Sequence, residues 1–186
     1  MIVICNINQV FDQIILQIHV SFFKSNKVLT EKGILTGMIL IDLQKAFDTI
    51  DHDILIKMKY LGFSITTIAW FKSYLEDRKF LVNVGDTYSN LCELSRGVPQ
   101  GSILGPLLFL LYVNDMPQAV SSDLLLYADD SGLAYGGKGL NTIEYQLNKD
   151  FNNLCDWFVD NKLSIHFGDD KTKSIIFGSK RKLNIK

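Results

Sequence analysis

Three aspartates stand where carboxylates can do chemistry. Asp42 closes an apolar run over residues 34–41, and Asp129 and Asp130 fall at the tip of a tight, otherwise apolar hairpin predicted over residues 124–135. Carboxylates at adjoining strand ends repel one another unless cations lie between them. Their hard oxygens suit Mg²⁺ (or Mn²⁺), which keeps its waters and binds through one or two carboxylates plus substrate phosphates. Two such ions, about 3.5–4 Å apart, can activate a hydroxyl and stabilise a leaving pyrophosphate. Taken alone, Asp129-Asp130 also reads as a solvated turn pair, because Asp is a favoured turn residue. Other chemistries find no support. The sequence has no G-x-S-x-G or Walker A string, and Gly136-Gly137-Lys138-Gly139 lacks the flanks of a phosphate loop. Asp51-His52-Asp53 reads as a helix cap. His19, His52 and His166 have no ligand-like spacing.

The strings around the three aspartates carry more information. Asp42-Leu43-Gln44-Lys45-Ala46-Phe47-Asp48 follows the first apolar run, Arg96-Gly97-Val98-Pro99-Gln100-Gly101 precedes an apolar helix, and Tyr127-Ala128-Asp129-Asp130 forms the hairpin tip. In that order and spacing they resemble reverse transcriptases of non-LTR retrotransposons. The longer strings over 42–53 and 97–115 look like that group rather than the retroviral enzymes. The resemblance covers roughly residues 33–179 and implies an α+β polymerase palm, an antiparallel sheet packed against helices.

It also implies roles. Asp42 and Asp129 match the family's metal ligands, with Asp130 completing the acidic set and the Leu43 backbone carbonyl beside it. Phe47 matches the aromatic gate that crowds a ribose 2′-hydroxyl; its residue type also allows core packing. Gln100 matches the residue that contacts the incoming nucleotide, a task suited to an amide with donors and acceptors. Gly97 and Gly101 would let backbone approach a substrate closely, or serve ordinary turn geometry. Lys171 matches a late lysine near the leaving pyrophosphate. In a run with Lys173, Lys180, Arg181 and Lys182 it also reads as a solvated basic tail.

These residues need a scaffold. Apolar residues from Val3 to Phe22 recur at spacings of three and four, which predicts an amphipathic helix. Residues 34–41 read as a strand buried on both faces. Asp51 is placed to cap a helix running to about Tyr60, with Gly62 at its end, and Ser64 opens the next, which carries Ile68, Trp70, Phe71 and Leu75. Residues 80–84 and 88–94 flank Gly85-Asp86, the strongest hairpin signal. Residues 107–113 are apolar almost all round, which predicts a buried helix behind the Gly97–Gly105 loop. Residues 124–128 and 133–135 pair across a turn at 129–132. Asn141 and Glu144 have capping-box spacing before a helix through Leu147, Leu154, Trp157 and Phe158. A last hairpin is predicted between 163–167 and 174–177.

Composition fits this reading. The chain has 186 residues, 47% of them hydrophobic and 21% charged, and a formal net charge of -1. That balance excludes a polycation whose whole surface binds nucleic acid. Cys5, Cys92 and Cys155 are odd in number and far apart, so a disulfide framework is not expected. The N-terminus has no Lys or Arg before Lys24 and no 18-residue apolar run, so neither a signal peptide nor a membrane span is expected. An intracellular protein of the nucleus or cytoplasm follows.

Three parts are expected: an unmatched, helical segment over residues 1–32, the palm over 33–179, and a basic tail over 180–186. In the family, a basic fingers region precedes the palm and a helical thumb follows it. Here only Lys24, Lys27 and Lys32 are basic before Asp42, and Lys186 closes the sequence. The fingers are therefore expected to be largely missing and the thumb absent. Two functions stand. One is RNA-directed DNA synthesis, in which a primer 3′-hydroxyl attacks a deoxynucleoside triphosphate on an RNA template at two metal ions. The other is a catalytically inactive remnant that at most binds nucleic acid or a partner. The isolated chain is expected to extend a primer weakly or not at all.

Overall fold

The computed structural model describes residues 34–99, 101–127, 130–167 and 172–178. The helix expected over residues 1–32, Gln100, Asp129, Lys171 and the basic tail over 180–186 lie outside the described residues. In chain order the elements are β1 (Leu35–Asp42), α1 (Ala46–Thr49), α2 (Ile54–Tyr60), α3 (Ile65–Leu75), β2 (Lys79–Phe80), β3 (Asn83–Val84), β4 (Thr87–Tyr88), β5 (Cys92–Glu93), α4 (Leu104–Tyr112), a 3₁₀ turn (Met116–Ala119), β6 (Asp123–Tyr127), β7 (Asp130–Gly137), α5 (Leu140–Asp160) and β8 (Lys173–Phe177).

The apolar run before Asp42 forms β1, an inner strand of a four-stranded antiparallel sheet in the order β6-β7-β1-β8. Strand alternation sends Leu35, Ile39 and Ile41 toward α5 and Met38, Leu40 and Asp42 to the opposite face. Gly37 lies on the α5 side, where an added Cβ would come within 2.5 Å of Ile143 and 2.6 Å of Leu147. The bare backbone lets the 21-residue helix lie directly on the sheet. The far face is more open, with Leu40 exposed. The expected burial on both faces therefore holds mainly on the side that α5 covers; on the far face Thr36 is buried but Leu40 is exposed.

Two strand predictions need correction. Tyr127 pairs with Asp130, so Asp130, Ser131 and Gly132, expected in a turn, belong to β7. β8 makes no hairpin with residues 163–167. It pairs with β1 from Leu40↔Lys173 to Thr36↔Phe177, while Ile165 forms a separate bridge to Leu43. The second edge of β1 offers a five-residue ladder of backbone donors and acceptors, more than a short local hairpin supplies.

The helices show the same mixture. Ser64 caps α3 as expected, accepting the Thr67 N–H at 3.1 Å. Asp51 does not cap α2; its Oδ1 accepts the Asp53 N–H at 3.0 Å, and the helix begins at Ile54. The Asn141/Glu144 capping box does not form, since α5 starts at Leu140 behind Gly139 with no side-chain cap. Helix α4 buries Leu108, Phe109 and Tyr112 but leaves Leu107 and Leu110 exposed, so its all-round apolar surface is covered on one side only. Gly85-Asp86 does connect β3 to β4, and β2 pairs with β5 below them. All eight residues of those four short strands are exposed.

Two polar side chains fasten the helical side. Lys57 on α2 donates to the Tyr112 carbonyl (2.8 Å), Asp115 (2.9 Å) and Asn161 (2.6 Å). It also lies about 5 Å from the Tyr112 and Trp157 ring centres. Asp150 on α5 is fully buried and accepts from the Ser122 N–H and hydroxyl and from the Gln146 amide. Burial works upward on this carboxyl, but the Ser122 and Gln146 hydrogen bonds outweigh it and hold its pKa below the usual value.

A depressed folded-state pKa contributes stability above the unfolded value of about 4, and that contribution is lost as pH falls through the folded value. Asp150→Asn should thus cost about 1–2 kcal/mol at pH 7, with the gap to wild type narrowing below pH 4. Urea unfolding midpoints at pH 7 and pH 3 check this. A gap that widens in acid would contradict it.

Candidate active site

The site is built at one end of the sheet. Asp42 is the last residue of β1 and Asp130 the first of β7, and the two are direct register partners. Side chains of register partners share a face. Both carboxylates therefore stand on the face turned away from α5, although 88 positions separate them in sequence.

A second ladder fixes the residues just after Asp42. The Gln44 N–H donates to the Ser164 carbonyl at 2.8 Å, and the His166 N–H donates to the Asp42 carbonyl at 2.8 Å. Leu43 and Ile165 are the pair between these bonds. The backbone carbonyl of Leu43 consequently faces the other edge, toward β7, while its side chain is buried. His166 also places Nδ1 3.3 Å from Asp42 Oδ2. The Thr172 hydroxyl donates to the His166 carbonyl at 3.1 Å. The described residues on either side of Lys171 thus meet at the Asp42 end of the sheet.

Beyond Leu43 the chain turns through Lys45, at φ 50°, into α1. Phe47 is half-buried, with its ring packed against that of Phe109 at a centre distance of 5.3 Å. The loop before α4 docks on α1 and the residue that ends it through two backbone bonds, Gly97 N–H to Ile50 (2.7 Å) and Val98 N–H to Phe47 (2.9 Å). An added Cβ on Gly97 would lie 2.6 Å from the Asp48 carbonyl oxygen. The close approach that Gly97 permits is thus to Asp48. Gly101, at φ +75°, has nothing within 4 Å of its Cβ position and is open.

The Asp51-His52-Asp53 string, expected as a cap, is a tie between segments. Asp51 Oδ2 meets Lys162 at 2.6 Å and Arg96 at 3.8 Å, and Asp53 meets Lys162 at 3.1 Å. The His52 ring places Nε2 3.1 Å from the Gly97 carbonyl. Burial works upward on Asp51, but hydrogen bonds from Lys162 and the Asp53 N–H and the charges of Lys162 and Arg96 hold its pKa below the usual value. Hydrogen bonds to Asp51 and Asp53 raise Lys162. Sequence reasoning assigned no role to His166 or Lys57, since their side-chain partners lie more than fifty positions away. It saw His52 but assigned it a local role.

Among the described residues, no group of three metal-ligating side chains forms. What they do bring together is the Asp42–Asp130 pair, two hard oxygen donors, which meets the one or two carboxylates that Mg²⁺ requires.

A family description, reverse transcriptase (RNA-dependent DNA polymerase), matches residues 2–181. The chain belongs to the reverse transcriptase family. That span includes most of residues 1–32, where no motif is recognisable. Curated relatives include RNA-directed DNA polymerases of Drosophila non-LTR retrotransposons, among them the following two from Drosophila melanogaster. The "Probable RNA-directed DNA polymerase from transposon BS" is 39% identical over 127 residues, 64% of this chain and 14% of that protein. The RNA-directed DNA polymerase from mobile element jockey is 37% identical over 109 residues, 54% of this chain and 12% of that protein. The reverse transcriptase chain thus spans about one seventh or less of either relative. An apo telomerase from Candida tropicalis, truncated of its C-terminal domain, superposes with a TM-score of 0.59 at 21% identity, covering 92% of this chain and 35% of that one. That likeness bears out the mixed helix and antiparallel-sheet fold. No helix among the described residues is long and apolar enough to cross a membrane.

Proposed function

We propose that this reverse transcriptase domain carries out RNA-directed DNA synthesis, extending a DNA primer with deoxynucleoside triphosphates on an RNA template. The observation that carries the proposal is the register pairing of Asp42 with Asp130, two family-motif carboxylates on one face of the sheet. Two divalent ions, if bound there, would supply activation of the primer 3′-hydroxyl and charge neutralisation at the leaving pyrophosphate. Asp42, Asp129, Asp130 and the Leu43 carbonyl are the oxygens that would hold them.

The remaining residues select and orient. Phe47, packed against Phe109, would crowd a ribose 2′-hydroxyl and so favour deoxynucleotides. Gln100 and the open backbone at Gly101 would receive the incoming nucleotide. Lys171, in the segment whose neck is tied to His166 beside Asp42, would approach the pyrophosphate.

The direct test places this chain, in place of the matched segment, in the transposon BS polymerase and measures primer extension on RNA with Mg²⁺. DNA synthesis that prefers deoxynucleotides is expected. A folded, silent chimera would favour the remnant. The metal site has its own readout in the 186-residue chain. Millimolar Mg²⁺ or Mn²⁺ should raise its melting temperature by mass action on the folded state. A melting curve indifferent to both ions would count against the site.

A further inference from the structure

We infer that His52 is a positioning residue for nucleotide selection, holding the loop before α4 at a fixed distance from Phe47. The inference rests on the polymerase reading and assigns a role that no family motif above supplies. Three observations carry it. The loop docks on α1 and the residue that ends it through two backbone hydrogen bonds, Val98 N–H to Phe47 and Gly97 N–H to Ile50. His52 adds the side-chain bond, with Nε2 3.1 Å from the Gly97 carbonyl. A carbonyl only accepts, so Nε2 carries the proton and donates. Its neighbour Asp51 is anchored by Lys162 and by Arg96 from the same loop. The Asp51-His52 pair thereby grips the loop at successive residues, the Arg96 side chain and the Gly97 carbonyl.

The consequence follows from where that loop leads. Val98, at the C-terminal end of the docked stretch, donates to the backbone carbonyl of Phe47, the proposed sugar gate, and the chain continues from it through Pro99 to Gln100, the proposed nucleotide contact. A nucleotide received beside Phe47 would be selected by how firmly that loop is held against it. Misplacement by an ångström or less is costly when reactants must be held in one geometry. Loss of His52 should therefore act on nucleotide binding and sugar choice more than on the chemical step.

The test compares His52→Ala, His52→Gln and Lys57→Met. Glutamine can return a donor near the position of Nε2, whereas alanine cannot. Lys57→Met loosens the helical side without touching the loop and controls for a general loss of stability. In the 186-residue chain, amide hydrogen exchange at Gly97 and Val98 should quicken about tenfold or more in His52→Ala, selectively over other core amides. His52→Gln should restore most of the protection, and Lys57→Met should show no such selectivity. In the BS chimera, His52→Ala should raise the KM for deoxynucleotides about tenfold and narrow the preference over ribonucleotides, with kcat changed little.

Unaltered exchange at both amides in His52→Ala overturns the inference. So does faster exchange with wild-type KM and sugar preference. Failure of the polymerase reading is distinguishable, because the chimera would then be silent with His52 in place, while the exchange experiment still reports on the loop.

Discussion

Asp42→Asn in the BS chimera is expected to lower primer extension at least about a thousandfold, or about 4 kcal/mol of transition-state stabilisation. The substitution keeps the shape of the side chain and removes its charge. The backbone of β1 is paired on both edges, to β7 and to β8, so the fold should survive. What disappears is half of the carboxylate pair on the face turned away from α5. Asp129→Asn should match it in effect. The metal-induced rise in melting temperature should vanish with the activity, since both depend on one cation site. Retention of a tenth or more of wild-type extension by a well-folded Asp42→Asn protein would sink the assignment of Asp42 as a metal ligand.

What could be read in the sequence follows the range of the interactions involved. Asp42 at a strand end, the Ser64 cap and the Gly85-Asp86 loop each depend on residues within a few positions, and each appears as expected. The sheet order depends on competition between distant segments, and local pattern is blind to it. Residues 174–177 looked like a hairpin partner for 163–167, yet the available edge of β1 takes both, through β8 and through the Ile165 bridge. The Asp51-His52-Asp53 string shows the same limit within the site. Cap-forming residues at a helix start ordinarily satisfy local N–H groups. Here Lys162, 111 positions away, competes for Asp51, and the Gly97 carbonyl takes His52. The family strings pointed to one end of the sheet, while the partners that Asp51 and His52 take there lie far along the chain and could not be read from any one string.

Gly97→Ala is expected to be among the most damaging single-methyl changes in the protein, at about 3 kcal/mol or more. Two costs combine. The residue sits at φ +81°, where a Cβ crowds the following carbonyl by about 1–2 kcal/mol. The new methyl would also lie 2.6 Å from the Asp48 carbonyl oxygen and 2.8 Å from its carbonyl carbon and Cα. Those are backbone atoms, so no change of rotamer relieves the contact. Either α1 moves, carrying Phe47 with it, or the Gly97–Ile50 and Val98–Phe47 bonds break. Gly101→Ala supplies the comparison, because Gly101 has nearly the same φ, +75°, but nothing within 4 Å of its Cβ position. Its loss should stay near 1–2 kcal/mol, the backbone share alone. Urea unfolding of the two variants therefore separates the steric contribution from the conformational one. Equal losses would mean that the Asp48 contact costs nothing, and that the loop is free to shift away from α1.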